Sequence, residues 1–239
     1  MSDQQALGGF TGKWLERWPE WRVAEVFVAP AQRGIAAAWF ALRQELLDAA
    51  WGGSDPRPGE AKLAWWMDEL NGWAQGRRRH PLGAALQRMP APWARLALAT
   101  TALASAREPA VDEEAAAIAV APFAEAVVAV DGALFDVPEA ASHSAITGLL
   151  CEHLIARGDA ATPLQTRARL GAAAGENTVA RAWSQEILQR PRSHGGGSRA
   201  GRILSALERG RVARFADGQP MQPIPWWPAL WTAWRSARS

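Results

Sequence analysis

Cysteine is almost missing from this chain: Cys151 stands alone among 239 residues. An internal disulfide is therefore excluded, a thiolate-built metal site cannot assemble, and a reducing, cytoplasmic setting is the expectation. Tyrosine is absent and β-branched runs are few, so little is available to build a sheet; VAEVFV, residues 23–28, is the single strand-like piece. No stretch approaches the roughly 18 uninterrupted apolar residues of a spanning helix, and the N-terminus lacks a basic stretch followed by an apolar one. There is no G-x-S-x-G elbow, P-loop or G-x-G-x-x-G. A large net charge is lacking too: formal charge is only +2, without the broad basic surface that nucleic-acid binding needs, so nucleic acid is not an expected partner.

What is present is helical. Hydrophobic residues make up 49%, Ala, Leu, Arg and Glu dominate, and segments between prolines and glycines repeat with a period near 3.6. Residues 32–51 place Ile35, Trp39, Leu42, Leu46 and Ala50 on one face, closed by Gly52-Gly53. A second helix is expected from Glu60 to Gln75, and His80-Pro81 reads as the start of a third, interrupted by Pro90 and Pro92 and resumed from Trp93 to Ala106. Asp112, Glu113 and Glu114 suit a helix N-terminus, with a Pro122 kink before Phe135. Further helices are expected over Pro138 to Arg157, Pro163 to Ala174 and, capped by Asn177, to Gln189. PRSHGGGSRAG, residues 191–201, is the best linker; its HGGGSR could alternatively offer amides to an anion. The reading is all-α: a helical domain over residues 1–190 and a basic, Trp-rich segment over 191–239, packed on or appended to it.

Two sequence blocks together resemble a known family. KLAWWMDEL followed by HPLGAAL is similar to consecutive helices of the squalene and phytoene synthase family, and the preceding APAQRGIAAAWFALRQELLDA resembles that family's first core helix. Weaker similarity continues through AVVAVDGALFDV and EAASHSAITGLLCEHL, whose Ala-Ala-Ser-His run resembles the branch containing a mitochondrial complex I assembly factor. The resemblance covers about three quarters of the chain and implies a helical bundle of the isoprenoid synthase type. It also implies magnesium, held by Asp-x-x-x-Asp pairs on two facing helices to neutralise a leaving diphosphate. This chain departs there. Leu47 and Trp51 stand at the first pair, with Asp48 the only acid in the motif and Gln44 in place of an arginine. Ala156 and Ala160 stand at the second, Glu152 at the usual Asn, and Ala126 at a usual Tyr.

Diphosphate chemistry is therefore expected to be lost, with no cofactor required; the alternative is an active prenyl transferase using magnesium on diverged ligands. Glu45, Asp48, Glu152 and Asp159 are the candidate remnant of the metal and diphosphate site, and Arg33, Trp51 and Trp66 the candidate pocket. Expected partners are an isoprenoid or lipid ligand, a protein, or a membrane surface touched peripherally. Asp68 and Glu69 are read as a solvent-facing pair, Arg77, Arg78 and Arg79 as complements to a helix C-terminus, His80 as a helix-start residue, His143 as a packed polar residue, and Cys151 as simply buried.

Fourteen tryptophans form two end clusters: Trp14, Trp18 and Trp21, and Trp226, Trp227, Trp231 and Trp234. Trp227, Trp231 and Trp234 share a helical face near Arg235 and Arg238, which suits either an interfacial anchor or a stripe packed back onto the domain. From residue 190 onward nine Arg face only Glu208 and Asp217, a local +7 against −5 for the rest, so this segment is the part expected to meet an anionic partner.

Overall fold

Proline and glycine punctuate the chain as a helical protein requires. The computed structural model describes residues 3–171, 175, 177–191 and 197–238; helix accounts for 75% of it, and no strand occurs among the described residues. The helices are α1 (Asp3–Arg17), α2 (Trp21–Ala24), α3 (Pro30–Trp51), α4 (Arg57–Ala74), α5 (Gly83–Leu86), α6 (Trp93–Ser105), α7 (Glu113–Phe135), α8 (His143–Arg157), α9 (Leu164–Leu170), α10 (Thr178–Gln189), α11 (Arg199–Ala216) and α12 (Trp226–Arg238). All of VAEVFV but its last residue, Val28, is helical, split between α2 and a 3-10 turn at Glu25–Phe27, because its buried neighbours are helices and no strand among the described residues is there to pair with it. Residues 172–174 and 192–196, on which the end of one expected helix and most of the expected linker fall, lie outside the described residues.

Pro30 opens α3 at its first turn, and the Gly52 amide closes it on the Asp48 carbonyl at 2.9 Å. Gly59 lets α4 approach so closely that any Cβ there would collide with the Ala49 carbonyl. Asp112 caps α7, accepting from the Ala115 amide at 2.8 Å, and Asp136 ends it in a left-handed conformation. The third expected helix is shorter than predicted: after His80-Pro81 only the single turn of α5 forms before the Pro90 and Pro92 break. The helix expected from Pro138 begins only at His143, which is exposed.

Neighbouring helices pack in ring-like succession. α3 meets α1, α4, α6 and α8; α4 meets α6, α6 meets α7, α7 meets α8, and α8 meets α11, which carries α10 and α12 on its flanks. α7 is the one described helix long and apolar enough to cross a membrane, but most of it is buried between its neighbours, as a core helix would be.

The segment after residue 190 is no loose appendage. α11 sets Ile203, Leu204, Leu207, Val212 and Phe215 into the core. Arg211 makes a two-pronged pair with buried Glu20 (Nε to Oε1 2.6 Å, Nη2 to Oε2 2.7 Å) and lies 3.7 Å over the Trp18 ring. Arg190 pairs with Glu113 at 2.8 Å. Part of the C-terminal positive charge is therefore neutralised inside the fold.

Candidate functional site

The acids that the sequence singles out on α3 are met by cations from other helices. Glu45, 5% exposed, accepts from Lys13 of α1 and Lys62 of α4, each at 2.7 Å. Burial alone would raise its pKa, but the two lysine hydrogen bonds outweigh burial and hold it below the ordinary carboxylate value. Asp48 accepts from Arg17 at 2.9 Å and from Gln44, one turn earlier, at 2.8 Å. Glu152 faces them from α8 across a small cavity of about 80 Å³ that Arg17, Leu47, Asp48, Trp51 and Ala156 also line. Asp159 is not part of this group: its carboxylate accepts from the Ala180 amide at 2.9 Å and caps α10, the task expected of Asn177, whose side chain makes no such bond.

Magnesium does not fit this arrangement. A cation here would need the carboxylates that Lys13, Arg17 and Lys62 already engage, and no group of three His, Cys, Asp or Glu side chains is gathered for a metal among the described residues. Trp51 is buried to 1% and stacks its ring 4.6 Å from His153, filling space beside the acids.

Behind Glu152 lies a carboxyl pair that sequence reading missed. Glu208 of α11, 1% exposed, stands beside Glu152 and receives Arg43 at 3.4 Å. Burial first, then the Glu208 charge, pushes Glu152 up to about 8, and burial also raises Glu208 against the opposing pull of Arg43. Glu152 thus keeps its proton at neutral pH, beside the one guanidinium, Arg43, that Glu208 receives. Gly148 makes room for the pair: a Cβ there would stand 2.5 Å from Glu208 Oε2. His153, buried beside Arg157, is lowered to about 4 and stays neutral, with its Nε2 free of partners.

A second, larger cavity of about 510 Å³ lies on the far side of Glu208, between α7, α8, α11 and α12. Arg43 and Glu208 stand in its depth, with Asp131, which accepts from the Ser198 amide and hydroxyl at 2.9 Å each. At its edge are Trp231 and Arg235 of α12.

Of the expected pocket residues, Trp51 lines the small cavity, and neither cavity described is lined by Arg33 or Trp66. Arg33 donates to the Val28 carbonyl at 3.1 Å and pins the turn before α3. Trp66 packs in the core, 4.5 Å from the His80 ring. Glu69 corrects the solvent-facing reading: it is 1% exposed, and accepts from Trp73 Nε1 (2.8 Å), the Arg79 amide (2.7 Å), Arg79 Nε (2.9 Å) and the His80 amide (2.8 Å). This one carboxylate folds the basic run back onto α4, while Asp68 remains exposed. Arg79 also lies 5.3 Å over Trp65, and Arg78 reaches Asp3 at 2.8 Å. Cys151 is buried, and burial pushes its thiol far above the ordinary value, so it is inert.

α12 docks through small residues. Ala229 and Ala233 are fully buried, while Trp226, Trp227 and Trp231 are 66%, 61% and 55% exposed. Trp234 is half-buried, stacked on Trp231 at 4.8 Å and covered by Arg238 at 4.8 Å. The alternative of a stripe packed onto the domain is thereby corrected for Trp227 and Trp231, because the alanine face takes the contact with α11 and α2.

Compared with family models, with curated proteins and with solved structures, the chain finds no match.

Proposed function

We propose that this is a catalytically degenerate protein of the squalene and phytoene synthase type that works at an anionic membrane surface through α12. The observation that carries the membrane part is the outward display of Trp226, Trp227 and Trp231 on a helix with Arg235 and Arg238 and no acid. Three large exposed indoles contiguous with cations form the amphipathic composition that inserts at the headgroup boundary. What supports the loss of diphosphate chemistry is the counter-charging of Glu45 and Asp48 by side chains, with Leu47, Trp51 and Ala156 beside them where the resemblance implies chelating pairs. A leaving diphosphate would find lysine- and arginine-neutralised acids instead of metal.

Co-sedimentation with vesicles tests this. The protein should pellet with vesicles rich in phosphatidylserine and much less with pure phosphatidylcholine. Arg238→Gln should weaken binding about fivefold, near 1 kcal/mol for one surface cation, and Trp226→Ala with Trp227→Ala should abolish most of it. Equal affinity for both vesicle types, or none for either, overturns the membrane role. Magnesium-dependent turnover of farnesyl diphosphate would instead restore the enzymatic alternative.

A further inference from the structure

The larger cavity has a charge pattern that selects a ligand. In its depth each acid is met by donors: Glu208 by Arg43, and Asp131 by two hydrogen bonds from Ser198. At its edge two cations, Arg202 and Arg235, are not met by an acid among the described residues. Arg202 donates only to the carbonyl oxygens of Gly197 (2.7 Å) and Ser236 (3.4 Å), and Arg235 is exposed with no hydrogen-bond or ion-pair partner among the described residues. Between rim and depth the walls are largely apolar, with Val127, Val128, Ala145, Leu188, Ala206 and Ala213 among the lining residues. Its volume of about 510 Å³ falls in the range of small-molecule sites.

We infer that this cavity takes up a single-chain anionic amphiphile, with the acid group held at the rim by Arg202 and Arg235 and the apolar body inserted between α7, α8 and α11. A guanidinium that donates only to carbonyls retains a full uncompensated charge, and a carboxylate or phosphate is the group that supplies its counter-charge with aligned hydrogen bonds. A cationic or zwitterionic amphiphile would bring a positive group against two arginines. Trp231 belongs both to the exposed face of α12 and to the cavity lining, so the mouth opens where the proposed membrane contact lies. The inference rests on the membrane reading for the source of the ligand, and not for the binding itself.

The test uses the full chain in vesicle-free buffer, with dansyl-undecanoic acid as the fluorescent probe. Uptake should raise and blue-shift dansyl emission. Lauric acid and lysophosphatidic acid should displace the probe, and the more effective of the two identifies a free acid or a phospholipid headgroup as the source. Inorganic phosphate and dodecyltrimethylammonium should not displace it; displacement by either overturns the inference, the first because no tail is needed and the second because no anion is. Arg235→Gln should bind the probe about tenfold more weakly, the loss of one charge-assisted hydrogen bond, and Ala206→Trp should abolish uptake by filling the cavity. Because Arg235 is exposed and unpartnered, its variant stays informative even if Ala206→Trp fails to fold. Unchanged affinity in a folded Arg235→Gln overturns the assignment of the head group. No probe uptake by a protein that still pellets with anionic vesicles overturns the cavity alone. Uptake by a protein that ignores vesicles overturns the membrane role and leaves the cavity standing.

Discussion

The two tryptophan clusters at the ends of the chain look alike on paper and behave oppositely in the fold. Trp14, Trp18 and Trp21 stand at the same four-then-three spacing as Trp227, Trp231 and Trp234. The first three are at most 2% exposed, whereas Trp227 and Trp231 are more than half exposed. Spacing alone does not decide exposure: α1 ends at Arg17, so Trp18 lies in the turn and Trp21 opens α2, whereas the C-terminal three all stand on α12. Around the N-terminal cluster, Trp14 and Trp21 meet the Phe40 ring at 5.4 and 5.1 Å, and Arg211 closes over Trp18. On α12 the inner positions are Ala229 and Ala233, which allow close approach to α11 and leave the indoles outside.

The sharpest way to break this contrast is at the cover. Arg211→Ala removes the guanidinium from Trp18 and leaves Glu20 buried without its counter-charge. The cost expected for halving a buried ion pair is about 3–5 kcal/mol, read as a lowered urea midpoint with unchanged slope. Tryptophan emission should shift to the red in the same variant; a stable protein with unshifted emission would mean that the pair does not hold the N-terminal cluster. Next in size is a matched comparison of the clusters themselves. Trp18→Ala should destabilise by about 3–5 kcal/mol through the cavity it leaves, whereas Trp227→Ala should stay within about 0.5 kcal/mol of the parent. Equal losses in the two variants would show that α12 buries its indoles in solution.

These same residues mark how far the sequence carries. α3, α4, α7, α8 and α10 were legible because their apolar residues recur at helical spacing between prolines, glycines and, at Asp112, a capping acid. α11 was not, because Glu208 and Arg211 sit on its buried face and interrupt the apolar stripe; each is tolerated by a partner far away in sequence. α1 was hidden by Gly8, Gly9 and Gly12, which lower helix propensity without preventing a helix. In the site, Asp48 and Glu152 could be named from the resemblance, and the structure does bring them to one cavity. Their neutralising partners could not, since Lys13, Arg17 and Lys62 come from separate helices. The one available signal was that Lys13 and Arg17 stand four residues apart and so share a face of α1. Glu69 was misread because a carboxylate that accepts three bonds from the following loop and one from Trp73 on its own helix looks, in sequence, like any charged residue beside a basic run.

The smallest of the predicted effects separates the closed interior from the open C-terminal face by its response to pH. Folded Glu152 keeps its proton up to about pH 8, while an unfolded chain releases it near the ordinary value of 4.5. Over that interval the folded state binds more protons, so stability falls as pH rises, by at most about 1.4 kcal/mol per pH unit for one proton. His153 acts in the opposite sense below its ordinary value of 6.5, because the unfolded chain protonates there while the buried ring stays neutral down to about 4. The interval from about pH 6.5 to about pH 8 therefore reads Glu152 above the range in which His153 contributes. Glu152→Gln keeps a donor toward Glu208 and has no proton to lose, so urea midpoints measured across that interval should decline less than in the parent. Arg235→Gln, at the rim, should reproduce the parent profile. If the glutamine variant also keeps the full slope, Glu152 does not hold its proton across that interval, and the depth of the larger cavity carries one more negative charge than a protonated Glu152 allows.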